Sequence, residues 1–172
     1  MSASSPLASI AVGVCVERSK SASQWADFYW RPSGVLAGAP DTAPWTKLSD
    51  DGDHATFFVG TTSIDLYRTE TTYYRSNLES SSPSLWIALR ATGGEPPFTV
   101  AVVTADPAEG EGLTETATDL VEQVPMPPVI QSLVEAFIAE HHVEERFVKR
   151  KRDRANPEAL ARGAAEPGKD RE

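Results

Sequence analysis

Ser9-Ile10-Ala11-Val12-Gly13-Val14-Cys15-Val16-Glu17 sets Ile10, Val12, Val14 and Val16 two residues apart. Side chains at that spacing share one face of an extended chain, so the segment predicts a β-strand with one buried face. Downstream, Trp25 to Ala39 carries Trp25, Phe28, Tyr29 and Trp30, then Arg31-Pro32 and Val35-Leu36. Proline brings no N–H to a ladder, so Pro32 marks an edge position or a bulge. Gly38 to Asp53 reads as a long, turn-rich loop. Ala55 to Gly60 and Ser63 to Arg68 read as two short strands joined in a hairpin through Gly60-Thr61-Thr62. Leu85 to Arg90 and Phe98 to Thr104 read as antiparallel neighbours, and Leu120 to Val124 as one more short strand.

Helical patterns are fewer. Thr69 is placed to cap a short helix running through Tyr74 to Leu78. Asp106-Pro107 with Glu109 has the order of an N-cap, a first-turn proline and an N3 carboxylate. After Met126-Pro127-Pro128, the residues Val129, Ile130, Leu133, Val134, Phe137, Ile138 and His141 recur every three or four positions, an apolar stripe that a sheet must cover. The expected architecture is therefore α+β: a single domain over 9–145 in which a bent antiparallel sheet of about six short strands carries a C-terminal helix, preceded by a flexible N-terminus over 1–8.

Charge divides the 172-residue chain unevenly. Up to Glu145 there are 7 basic and 20 acidic residues, a net −13, whereas 146–172 hold 9 basic and 5 acidic, a net +4. The basic run Lys149, Arg150, Lys151, Arg152 and Arg154 lies in that tail, whose Ala, Gly, Pro and charged residues offer no stripe long enough to bury; a disordered tail is expected. It serves either to keep the chain soluble or to dock an acidic surface. The acidic body repels phosphate, which argues against nucleic acid as partner. One cysteine, Cys15, excludes an internal disulfide and reads as a small strand filler. The apolar run Ile10 to Val16 is too short and too interrupted for a membrane span or a signal peptide, so a soluble, cytoplasmic protein is expected.

Familiar catalytic patterns are missing. The chain contains no G-x-x-x-x-G-K-[ST] phosphate loop, no G-x-G-x-x-G after its first strand, no G-x-S-x-G elbow and no H-E-x-x-H helix. Asp50, Asp51 and Asp53 lack the periodic ligands of a calcium loop and read as a solvated turn. His141 and His142 are adjacent on a helix and diverge by about 100°, which keeps them from one ion. The remaining histidine is His54, and no metal or cofactor is expected. These features move the expectation from catalysis to binding.

Several ordered blocks carry a resemblance: Val12-Gly13-Val14 with Val16-Glu17-Arg18; Trp30-Arg31-Pro32 with Val35-Leu36 and Gly38-Ala39-Pro40; Pro44-Trp45-Thr46; Tyr67 to Thr71; Tyr74 to Ser80; and Pro83 to Trp86. Thr104 to Pro107, Val124 to Pro127 and the run from Ala136 through His141 and Phe147 to Leu160 continue it. Together they resemble a proteobacterial family of unknown function whose genes lie beside those of molybdenum- or tungsten-dependent formate dehydrogenases. Some members are labelled molybdopterin-guanine dinucleotide biosynthesis protein A. True nucleotidyltransferases of that type follow the first strand with a glycine-rich, basic loop; here Val14-Cys15-Val16-Glu17-Arg18-Ser19-Lys20 has no such glycines.

The resemblance implies a non-catalytic accessory factor in maturation or assembly of a formate dehydrogenase, its partner being a dehydrogenase subunit or a maturation factor. Trp25, Phe28, Trp30 and Trp45, with Arg31, are the expected aromatic contact region, and Lys149 to Arg154 the expected electrostatic one. The alternative it implies is an enzyme or carrier in molybdenum-cofactor biosynthesis, with Arg31, Arg68 or Arg75 holding phosphate groups.

Overall fold

A computed structural model describes residues 5–144 and shows seven strands and three α-helices. The strands are β1 (Ala8–Lys20), β2 (Phe28–Ala37), β3 (Thr46–Asp50), β4 (His54–Leu66), β5 (Ser84–Ala91), β6 (Phe98–Thr104) and β7 (Leu120–Pro125). The helices are α1 (Thr71–Leu78), α2 (Pro107–Thr116) and α3 (Pro128–His141). All strand pairing is antiparallel, in a four-stranded sheet ordered β2-β1-β4-β3 and a three-stranded sheet ordered β6-β5-β7. The architecture is the expected α+β one, with the strands shared between two sheets. They meet where β4 lies against β6 and β2 against β7, a barrel-like closure around one core. The basic tail expected over 146–172 lies outside the described residues.

Bulges explain how the strands bend to enclose that core. In β1 the even-numbered Val12, Val14 and Val16 are fully buried. Opposite them, Val14 pairs with Gly60 and Cys15 with Phe58, which leaves Val59 as an extra residue. The inward set of β4 therefore changes parity, from Phe57 and Val59 to Ile64 and Leu66. Gly60, with φ of 156°, is a bulge residue in an unbroken 13-residue strand and not the turn of a hairpin. β2 shifts likewise: Cys15 faces Gly34 and Val16 faces Pro32, so Pro32 adjoins a bulge. In β6 the shift lies opposite Ala88 and Leu89, and Phe98 and Val100 give way to Val103.

A second departure from the expected pattern is β3, inside the segment read as a loop. All five of its residues are exposed, so no apolar alternation marks it. It pairs with β4 through Thr46↔Phe58, Lys47↔Phe57, Ser49↔Thr56 and Asp50↔Ala55. The acidic turn after it behaves as the residue types suggest. Asp50 accepts the Gly52 N–H at 3.0 Å, and Asp51 accepts the N–H groups of Asp53 and His54 at 3.1 and 2.8 Å.

The helices cover what the sheets leave open. On α3 the buried residues are Ile130, Val134 and Phe137, which join the core with Tyr74 of α1; α3 packs mainly on α1 and also on β1. Burial pushes the Tyr74 hydroxyl up to about 12, and it accepts the Tyr67 N–H at 3.1 Å. Asn77 is fully engaged, donating to Ser84 O and Ala105 O and accepting the Ser84 N–H. α2 begins as its sequence predicts, Asp106 accepting the N–H groups of Ala108 and Glu109. It lies on the outer face of β5, where Gly110 faces Trp86 so closely that a Cβ would stand 2.2 Å from the indole.

Candidate functional site

Within the pairing ladders, the end of β1 meets the starts of β2 and β4, while the end of β5 meets the starts of β6 and β7. Aromatic side chains gather there. Trp30 of β2 has its ring centre 5.8 Å from Trp45, 5.7 Å from Phe57 of β4 and 6.0 Å from Phe98 of β6. Trp45 and Phe57 are 6.0 Å apart. All four are half-buried and rest on the core. With Arg18, Pro44, Glu95, Pro96 and Pro97, the rings of Trp30, Trp45 and Phe57 frame an open cleft of about 630 Å³, and Phe98 supports it from behind Trp30. Barrel mouths of this kind, walled by rings and holding a few polar groups, are common ligand sites.

Arg18 occupies the centre of the mouth because it continues the inward series of Val12, Val14 and Val16. It pairs across β1 and β2 with Trp30, and across β1 and β4 with Ala55, whose small side chain leaves room. Its guanidinium carbon stands 4.4 Å from the Phe28 ring centre, 5.3 Å from Phe57 and 5.8 Å from Trp30. This is a cation held by ring faces. Among the described residues no carboxylate pairs with it. The neighbouring cations are matched: Lys20 with Asp53 at 3.1 Å, Arg31 with Glu17 at 3.1 Å, Lys47 with Asp50 at 2.7 Å and Arg90 with Asp119 at 2.9 Å.

Trp45 reaches the cleft through an unusual backbone. Its φ is 64°, the left-handed region that bulky side chains rarely adopt, immediately before β3 begins. Such strain costs of order 1–3 kcal/mol and persists where surrounding structure enforces it. Here the Trp45 N–H donates to Phe58 O, and its ring packs on Trp30 and Phe57.

The expected contact residues separate in space. Trp30 and Trp45 come together, and Phe28 lies beneath Arg18. Trp25 is 89% exposed and does not line the cleft. Arg31 has the opposite parity to Trp30 and lies in a second depression with Glu17, Ser49, Asp50, Asp51, His54 and Thr56. There Ser19 Oγ is 2.9 Å from His54 Nδ1 and 3.2 Å from Glu17. Arg68 lies in a 3-10 turn and Arg75 on α1, where it bonds Glu79 at 2.9 Å; neither lines these two depressions. Lys149, Arg150, Lys151, Arg152 and Arg154 lie outside the described residues.

The other candidates have structural surroundings. Cys15 is buried, which pushes its thiol up. His141 packs 4.6 Å from the Phe137 ring, whereas His142 is 3.0 Å from Thr71 Oγ1. Among the described residues, no group of three or more His, Cys, Asp or Glu is placed to hold a metal ion, and no helix is long and apolar enough to cross a membrane. Arg18, Phe57 and the prolines of the cleft were missed by sequence reasoning. Only the parity of Arg18 with Val12, Val14 and Val16 signalled an inward cation.

Fold and site define an antiparallel α+β domain with a barrel-like core and an arginine-centred aromatic mouth. The chain belongs to the family described as Protein of unknown function (DUF3305), which matches residues 11–151. No curated protein and no solved structure matches it.

Proposed function

We propose that this chain is a non-catalytic accessory factor that docks a partner protein through its aromatic mouth. The particular partner suggested by the family resemblance is a formate dehydrogenase subunit or maturation factor, engaged in the cytoplasm during assembly of the enzyme. The observation that carries the docking reading is the cleft itself, which Trp30, Trp45 and Phe57 line together with Arg18 while remaining half-exposed. Trp, Tyr and Arg dominate the energetic centres of protein interfaces, because they bury much area and keep a polar edge. A left-handed tryptophan at the rim is a strained feature of the kind that concentrates at binding sites.

Pull-down with the full-length chain from cells co-expressing the formate dehydrogenase subunits and their maturation factors tests the reading. Retention of one of those proteins by the wild type, and its loss on Trp45→Ala, is expected. No retention, or equal retention by the variant, overturns it.

A further inference from the structure

From the mouth's chemistry we infer a ligand class: an extended peptide segment of the partner in which a single carboxylate side chain lies next to a proline or aromatic residue, the carboxylate accepting the Arg18 fork. This rests on the docking reading and narrows it. Ring faces hold the guanidinium through Phe28, Phe57 and Trp30, which leaves its N–H edge as the part able to bond. A planar guanidinium fork matches a carboxylate in bidentate geometry, and stacking fixes that fork before any ligand arrives. The neighbouring cations already have carboxylate partners, whereas Arg18 has none among the described residues. An incoming carboxylate therefore displaces no ion pair at Arg18.

The walls specify the neighbour of that carboxylate. Pro44, Trp45, Pro96 and Pro97 present rigid rings on both sides of the opening. Surfaces of this composition suit prolines and aromatic rings, which lose little side-chain freedom when they pack. Beside the cleft, β3 is the outermost strand of its sheet, pairs only with β4 and begins directly after Trp45. An extended chain laid along that edge gains main-chain hydrogen bonds and leads its side chains into the mouth. A polyphosphate or an acidic run fits less well: Glu95 lines the same cleft, none of the lining residues is a glycine or a lysine, and the chain up to Glu145 carries a net −13.

A phage-displayed library of random dodecapeptides, selected on the immobilised full-length chain, tests the inference. Enrichment of Asp or Glu beside Pro or an aromatic residue is expected. The consensus peptide, synthesised with a fluorescent label, is then titrated by anisotropy. Arg18→Gln should weaken it at least about tenfold, and Arg18→Lys nearly as much, because the fork is lost. Replacing the peptide's Asp by Asn should weaken wild-type binding similarly and should add little in Arg18→Gln. Near-UV circular dichroism confirms that the variants stay folded. No enriched peptide, or affinity indifferent to both the carboxylate and Arg18, overturns the inference. If such indifferent peptides still lose binding on Trp45→Ala, the docking reading survives; if they ignore Trp45 too, it falls as well.

Discussion

Replacing Gly110 by alanine has a consequence that the geometry makes severe. A Cβ at that position would stand 2.2 Å from Trp86 Cγ, 2.3 Å from Cδ2 and 2.6 Å from Cδ1. Carbon atoms settle at about 3.5–4.0 Å, so α2 or the indole must retreat by about 1.3 Å or more. Trp86 is 9% exposed within a packed sheet face, so neither moves freely. Overpacking of this kind costs about 1–3 kcal/mol. Three ring atoms closer than 3 Å put Gly110→Ala at or above the upper end. Alanine returns about 1 kcal/mol of helix propensity, leaving a net loss of about 2 kcal/mol. With a urea slope of about 2 kcal/mol/M, the midpoint should fall by about 1 M. Trp86→Leu removes the obstructing ring, so in a double-mutant cycle the pair should be less damaging than the sum, by about 1 kcal/mol or more. Trp86 precedes the mouth end of β5 by five residues, about 16 Å along the strand, so folded Gly110→Ala should keep its ligand affinity. A variant as stable as the wild type, or strictly additive double-mutant energies, would refute the packing of α2 on β5.

Trp30→Ala should cost about 3 kcal/mol, since the ring touches Trp45, Phe57 and Phe98, whereas Trp25→Ala should stay within about 0.5 kcal/mol in the same urea titration. Asn77→Ala strands the buried N–H and carbonyl of Ser84 and the carbonyl of Ala105, and should lower stability by about 3 kcal/mol. Burial holds the Asp106 carboxyl above its ordinary value against the lowering effect of its two backbone N–H bonds. The folded chain thus binds that proton more tightly than the unfolded one, and this group's contribution to stability declines as pH rises from about 4 through the raised value. Asp106→Asn, which keeps an acceptor for the cap, should gain on the wild type across that interval, while Asp106→Ala should lose about 1 kcal/mol with its cap; urea titrations at stepped pH check both.

Where one apolar parity persists, the sequence was enough to place an element. β1 announced itself through Val12, Val14 and Val16, α3 through Ile130, Val134 and Phe137, and the start of α2 through Asp106-Pro107. Parity switches were harder to see. The glycine and threonines at 60–62 have the composition of a turn, yet Gly60 is a bulge whose neighbours keep the strand running. β3 carries no buried residue, so only its pairing with β4 reveals it. The same limits apply to the site. Trp30 and Trp45 were legible as aromatic contacts, but alternation sends Arg31 to the other side of the sheet, and Trp25, in the turn before β2, stays outside the cleft. Arg18, beside Glu17, looked like the polar end of a strand, and the 95–97 segment that faces it lies almost 80 residues away in the chain.

Docking through the mouth is tested most directly by quantitative co-purification of full-length wild type, Trp25→Ala and Trp45→Ala with co-expressed formate dehydrogenase components. Wild type and Trp25→Ala should retain the same component in equal amounts, and folded Trp45→Ala should retain about a tenth or less. Equal recovery on all three, or on none, would contradict the account.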